Sequence, residues 1–234
     1  MSLTDKAIAQ IRDLIQSGDL PPGSKLPPEQ ELAAQLGLSR SLAREAVKAL
    51  SVARILEVRR GDGTYVTSLQ PGLLLESFSG AVELLQAHPG ALLELLEVRR
   101  LLEPVAAALA AVRISDDQLA ELHGHLDAMR DSRDDVELLN RHDAAFHHTI
   151  VAATGNTTLT AVLDAISGRT LQARIWRGMH DSQSAVRTLT EHEAILGALS
   201  QRDAPLSQAA ALLHVSNTEK WLREHLRTEQ PAAG

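Results

Sequence analysis

The chain has 234 residues, enough for one large domain or two smaller ones, each with a core of its own. Apolar residues make up 44% and charged residues 23%, which excludes wholesale disorder, and the absence of cysteine excludes a disulfide scaffold, a thiolate zinc site and a cysteine nucleophile. The net charge of −7 is uneven: residues 1–70 carry 9 Lys and Arg against 8 Asp and Glu, so the acidic excess lies in the remainder.

Aromatic residues are only 2% of the chain, so its core must rest on Leu, Ala, Val and Ile, a bias that favours helix. The first segment, residues 4–17, places Ile8, Ile11 and Ile15 on one helical face, and Gly18 follows as a stop. It is charged throughout, unlike a secretory leader. The Pro/Gly run at 20–28 is a loop. Residues 28–36 form a short helix with Leu32, Ala33 and Leu36 on one face, ended by Gly37. Ser39 is placed to cap a third helix over 40–53. Residues 55–67 hold two short β-prone runs around Gly61-Asp62-Gly63, a hairpin pattern.

From about residue 73 the pattern is helical throughout. Segments near 73–86, 90–112, 116–130, 135–153, 158–178, 184–200 and 206–227 carry apolar residues at helical spacing. Ser115 to Gln118 reads as a capping box. Pro104 should kink or break the second of these helices. The longest uncharged apolar run, 104–112, is far short of a membrane span, so a cytoplasmic protein with no membrane association is expected. The expected architecture is mainly α: residues 1–67 as one domain, 68–72 as linker, 73–228 as an all-α antiparallel helical bundle, and 229–234 as a tail.

Three helices followed by a hairpin suggest a winged helix-turn-helix. On the third helix Arg40, Arg44 and Lys48 fall at i, i+4 and i+8, while Ala43, Ala46, Val47 and Leu50 form a neighbouring apolar face. That division suits a recognition helix in the major groove, with Arg59 and Arg60 near the hairpin tip. Spacing alone fits a solvated basic face equally well. The stretch PPGSKLPPEQELAAQLGLSRSLAREAVKAL at 21–50, with GDGTYV at 61–66, closely resembles the DNA-binding domain of the GntR family of bacterial regulators. The resemblance implies base or phosphate contacts from Arg40 and Arg44, with support from Ser39, and glycine at the wing tip, here Gly61 and Gly63. It places Gln30 where the family commonly has arginine. Gln30 can still hydrogen-bond a base or phosphate but brings no charge, which lowers phosphate affinity and its salt slope.

In the second half, Asp143 and His147 are i, i+4 on one helix, and His192 and His214 lie on later helices with apolar flanks. Packed in a bundle, one carboxylate and three imidazoles would suit Zn, Ni, Mn or Fe. Each histidine taken alone fits equally well as a hydrogen-bonded core residue, the reading given, with a surface one, to His88, His123, His125, His142, His148, His180 and His225. The ordered set EVRRLLEPVAAALAA at 97–111, DAAFHHTIVAATGN at 143–156, EHEAIL at 191–196 and His214 resembles the FCD effector domain of the FadR subgroup. Its metal-binding branch implies a divalent ion on Asp143, His147, His192 and His214, and disfavours a fatty-acyl ligand. It also implies a pocket-facing arginine on the first long helix, best matched by Arg99. The competing reading of Arg99 is a surface ion pair with Glu103, four residues on.

Together these features lead to the expectation of a homodimeric transcriptional regulator, by default a repressor, on a palindromic double-stranded operator. A small carboxylate effector at the metal-containing pocket would control its DNA affinity. The alternatives are a metal-dependent enzyme acting on small carboxylic acids, against which four protein ligands and no evident general base argue, and a protein-interaction module.

Overall fold

The computed structural model describes residues 2–69, 89–181 and 183–228. The chain divides into two compact units, Met1–Ala81 and Val82–Gly234. The expected helix at 73–86, most of the expected linker, His88 and the tail 229–234 lie outside the described residues.

In the first unit, helices α1 (Leu3–Gln16), α2 (Glu29–Gln35) and α3 (Arg40–Val52) precede strands β1 (Leu56–Arg59) and β2 (Gly63–Val66). Ser2 and Asp5 form a capping box on α1, and Ser39 caps α3 by accepting from the Leu42 amide at 3.2 Å. The apolar face of α3, Ala43, Ala46, Val47 and Leu50, is buried against Ala7, Ile11 and Leu32 together with Leu56 and Val66 of the hairpin. Burying each larger aliphatic side chain contributes about 1.5–3 kcal/mol, which fixes α3 to the domain and turns its basic face outward. The two strands pair antiparallel from Leu56↔Val66 to Arg59↔Gly63. The turn between them needs the left-handed φ of +77° at Gly61 and of +155° at Gly63.

The second unit is all helix: α4 (Pro89–Ala111), α5 (Asp116–Asp131), α6 (Val136–Ala152), α7 (Thr157–His180), α8 (Ser184–Ser200) and α9 (Ala204–Thr228). The capping box at Ser115 and Gln118 starts α5; Asp135 and Asn156 cap α6 and α7. Helix α4 packs most extensively on α9, α5 on α6, α6 on α7 and α8 on α9. Phe146, Leu122, Met129, Ile195 and Leu199 meet in the centre.

Of the expected kink or break at Pro104, the break does not occur, because α4 runs through it. Pro104 is buried beside Ala106, Ala107 and Ala110, and this packing offsets the roughly 3 kcal/mol an internal proline costs. The outward side of α4 carries exposed Leu101, Val105 and Leu109, and exposed Val112 follows in the next turn. No helix among the described residues is long and apolar enough to cross a membrane.

Candidate metal centre and nucleic-acid interface

Helices α6, α8 and α9 bring together the four residues expected to hold a metal. Asp143 and His147 come from α6, His192 from α8 and His214 from α9; all four are buried, and their donor atoms lie within 4.8 Å of one another. Asp143 Oδ1 is 3.1 Å from His192 Nε2 and 3.8 Å from His147 Nε2, and the Nε2 atoms of His147 and His214 are 3.1 Å apart.

Each ring is oriented from behind. His192 donates from Nδ1 to the Thr188 carbonyl at 2.7 Å. His214 donates from Nδ1 to Glu191 Oε2 at 2.8 Å, and Glu191 Oε1 accepts from Asn217 Nδ2 at 2.7 Å. His147 turns Nδ1 toward Glu103 Oε2 at 3.6 Å, and that carboxylate favours the proton on Nδ1. With the protons on Nδ1, three Nε2 lone pairs face one point. His192 Nε2 is buried without a hydrogen-bond partner; with their protons on Nδ1, the Nε2 atoms of His147 and His214, 3.1 Å apart, would face each other lone pair to lone pair. A divalent cation satisfies these lone pairs and Asp143 Oδ1 together, so the donor set fits a borderline ion such as zinc or nickel.

The electrostatics agree. Burial works against the Asp143 carboxylate, but the Arg174 guanidinium leads the interactions that outweigh it and hold its pKa well below the usual carboxylate range. Burial pushes His147 well below the ordinary imidazole value, against the pull of Asp143, and lowers His214 against the pull of Glu191. Both rings therefore stay neutral, as ligands must.

A cavity of about 300 Å³ opens on Asp143 and His214 and is lined by Asn140, Arg174, Arg177 and Thr218 among others. Arg174 reaches Asp143 Oδ2 through Nη1 and the Ser167 carbonyl through Nη2 at 3.1 Å. Sequence reasoning missed Arg174 and Arg177 of α7. Their i, i+3 spacing among apolar neighbours was the available signal, but nothing in the sequence says which face of α7 meets α6. It also passed over Glu191 as a group that orients His214.

Arg99 does not line this cavity. Its guanidinium, 1% exposed, pairs with Glu103 at 2.5 Å and donates to Thr170 Oγ1 at 3.1 Å. The ion pair weighed as a surface feature is thus formed but buried, and it fixes the carboxylate behind His147. Of the other described histidines, none is fully buried.

In the first unit, Arg40 and Arg44 both point at Glu29 of α2: Arg44 Nε is 3.0 Å and Arg40 Nε 4.0 Å from Glu29 Oε2. Both arginines are solvent-accessible, so α3 presents two guanidinium groups side by side. Lys48 pairs with Glu45 at 3.0 Å. Gln30 and Ser39 are exposed beside them. At the hairpin tip, Lys25 pairs with Asp62 at 2.9 Å, Tyr65 donates to Asp62 at 2.8 Å, and Arg59 stacks on Tyr65 with 4.3 Å to the ring centre. A larger concavity of about 840 Å³ runs beside β1 between Pro22, Arg54 and Arg59, but it gathers no metal-ligating cluster among the described residues.

Comparison with known proteins agrees with both halves. Residues 3–66 match the bacterial regulatory proteins of the gntR family, and residues 94–217 match the FCD domain. The HTH-type transcriptional regulator LutR of Bacillus subtilis is 32% identical over 211 residues, which cover 88% of this chain and 94% of LutR. The galactonate operon transcriptional repressor of Escherichia coli is 29% identical over 232 residues, covering 96% and 98% of the two chains. Among solved structures, Streptococcus agalactiae GntR superposes with a TM-score of 0.67 at 30% identity, over 93% of this chain and 99% of that one. The chain therefore belongs to the GntR family of bacterial transcriptional regulators, in the branch that carries an FCD domain.

Proposed function

We propose that the protein is a homodimeric, operator-binding repressor whose DNA affinity is set by a small organic acid bound beside a divalent metal. The observation that carries this reading is the convergence of three Nε2 lone pairs and Asp143 Oδ1 at the wall of a cavity lined by arginines. Asp143, His147, His192 and His214 would hold zinc, nickel, manganese or iron. Bound there, the metal supplies a Lewis-acid site for an oxygen of the ligand. Arg174 holds Asp143 in place, the Arg99–Glu103 pair holds His147, and the cavity admits the acid. The relative named for a galactonate operon supports a sugar acid as one candidate and repression as the mode.

On the DNA side, Arg40 and Arg44 would contact bases or phosphates, with Ser39 and Gln30 hydrogen-bonding the backbone. Gly63 would let the wing approach the adjacent groove. The exposed apolar stripe of α4 suits pairing with the same stripe of a second copy, and two recognition helices would then reach two half-sites. Differential affinity of the acid for two arrangements of the dimer is what would couple the sites.

The test begins with metal analysis of the purified protein and selection of its duplex from a random pool. Bound stoichiometric metal, and loss of duplex affinity on adding the acid that most raises the melting temperature, are the expected results. A metal-free protein that takes up no divalent ion on titration would end the reading. For the dimer, Leu109→Glu should give monomers in sedimentation velocity; an unchanged dimer would move the interface elsewhere.

A further inference from the structure

Arg177 is the buried cation that the site leaves uncompensated. Its side chain lines the cavity and the residue is 5% exposed, yet among the described residues no carboxylate lies within ion-pair distance of it. Its Nε is buried without a partner. Among the described residues its side chain makes one hydrogen bond, from Nη1 to Thr218 Oγ1 at 2.9 Å, and its guanidinium lies 6.0 Å from the centre of the Trp221 ring. The acidic group with the strongest pull on it, Glu191, has both oxygens occupied by His214 and Asn217. Arg174 differs, because Asp143 Oδ2 accepts from it. A buried guanidinium without a counter-ion is costly unless a ligand supplies one.

The charges around the cluster point the same way. Arg99, Arg174 and Arg177 face Glu103, Asp143 and Glu191, the Arg187–Asp181 pair beside the cavity adds one charge of each sign, and imidazoles that keep Nε2 bare add none. A divalent ion on the four donors would leave an excess of positive charge, placed between the metal ligands and Arg177. Thr218, which holds Arg177, is four residues beyond His214 on α9. One helical turn, about 5.4 Å, therefore separates the ligand histidine from the residue that anchors the guanidinium. That separation matches the two ends of a short acid.

We propose that Arg177 receives a carboxylate of the effector while a second oxygen group of the same molecule lies at the Asp143–His214 end, so that the cavity selects two-ended acids over simple monocarboxylates. The two-ended class comprises hydroxy-, keto- and dicarboxylic acids. This rests on the acid-binding reading above and deepens it. A planar fork on a carboxylate, desolvated inside the bundle, is worth a factor of about 10–100 in affinity.

The experiment is a thermal-shift and calorimetric titration of the zinc-loaded full-length protein with propionate, malonate and gluconate, repeated on Arg177→Met and Arg177→Lys. Zinc affinity is measured on each variant by chelator competition. Malonate or gluconate should bind at least tenfold more tightly than propionate. Arg177→Met should lose about 10–100-fold of that affinity, and Arg177→Lys less, with zinc affinity changed by under about threefold. Propionate binding as tightly as the two-ended acids, or Arg177→Met binding them like the parent, overturns the inference while the acid-binding reading stands. No shift with any of the three acids overturns both. Arg177→Lys keeps the question answerable if the methionine variant does not fold.

Discussion

Replacing Glu191 with glutamine changes one charge and no volume, and it probes the metal centre from behind. Glu191 accepts from His214 Nδ1 at 2.8 Å and from Asn217 Nδ2 at 2.7 Å, and its side chain is 10% exposed. Burial alone would raise its pKa; His214, Asn217 and the Arg177 charge together outweigh that and lower it, so the group is ionised at neutral pH. A glutamine offers one acceptor and one donor. Whichever way its amide turns, its NH₂ confronts either His214 Nδ1–H or Asn217 NH₂. Asn217 can reverse its own amide to relieve the second clash, which leaves His214 bonded to a neutral oxygen. The ring keeps its direction and loses basicity. Loss of such a supporting carboxylate costs about 10–100-fold in metal affinity, or about 1.4–2.7 kcal/mol. Competition between the protein and a chromophoric chelator for zinc at fixed pH reads this directly, and circular dichroism checks the fold. An unchanged zinc affinity in a folded Glu191→Gln protein would refute the claim that Glu191 orients and tunes His214.

Other consequences are equally concrete. Glu103→Ala leaves the Arg99 guanidinium buried without its carboxylate and should destabilise the protein by about 3–5 kcal/mol in urea unfolding; a loss below 1 kcal/mol would show that solvent reaches Arg99. Leu50→Ala, at a position 2% exposed where α3 meets the hairpin, should cost about 2–5 kcal/mol in the same assay. Arg40→Ala should lower duplex affinity and reduce the slope of log affinity against log salt by about one if the lost contact is a phosphate. A changed base preference with an unchanged slope would assign Arg40 to a base instead.

The fold was largely legible because its signals are local. Ser39, Ser115 and the glycines of the 61–63 turn set element boundaries through short-range hydrogen bonds and backbone sterics, and the helices begin and end within about two residues of their expected positions. Pro104 left a kink and a break both open, because the choice is decided by tertiary packing that no window of sequence contains. The four residues of the buried Asp/His cluster were legible as a set because Asp143 and His147 share a helical face and the order of the others resembles a known domain. Their supports were not. Arg174, Arg177, Glu191 and the buried state of the Arg99–Glu103 pair depend on how α4, α6, α7 and α9 rotate against one another. Helical periodicity shows that a face is apolar, not which polar residue at its margin meets which partner.

An acid at the Asp143–His214 cavity should alter the grip of Arg40 and Arg44 on DNA. The direct measurement is fluorescence anisotropy of the selected duplex with zinc-loaded protein, with and without the tightest-binding acid, on the parent and on Arg177→Met. Saturating acid should weaken duplex binding at least fivefold for the parent, and the variant should need at least tenfold more acid for the same effect. Duplex affinity that stays constant as the acid saturates the parent protein would contradict this expectation.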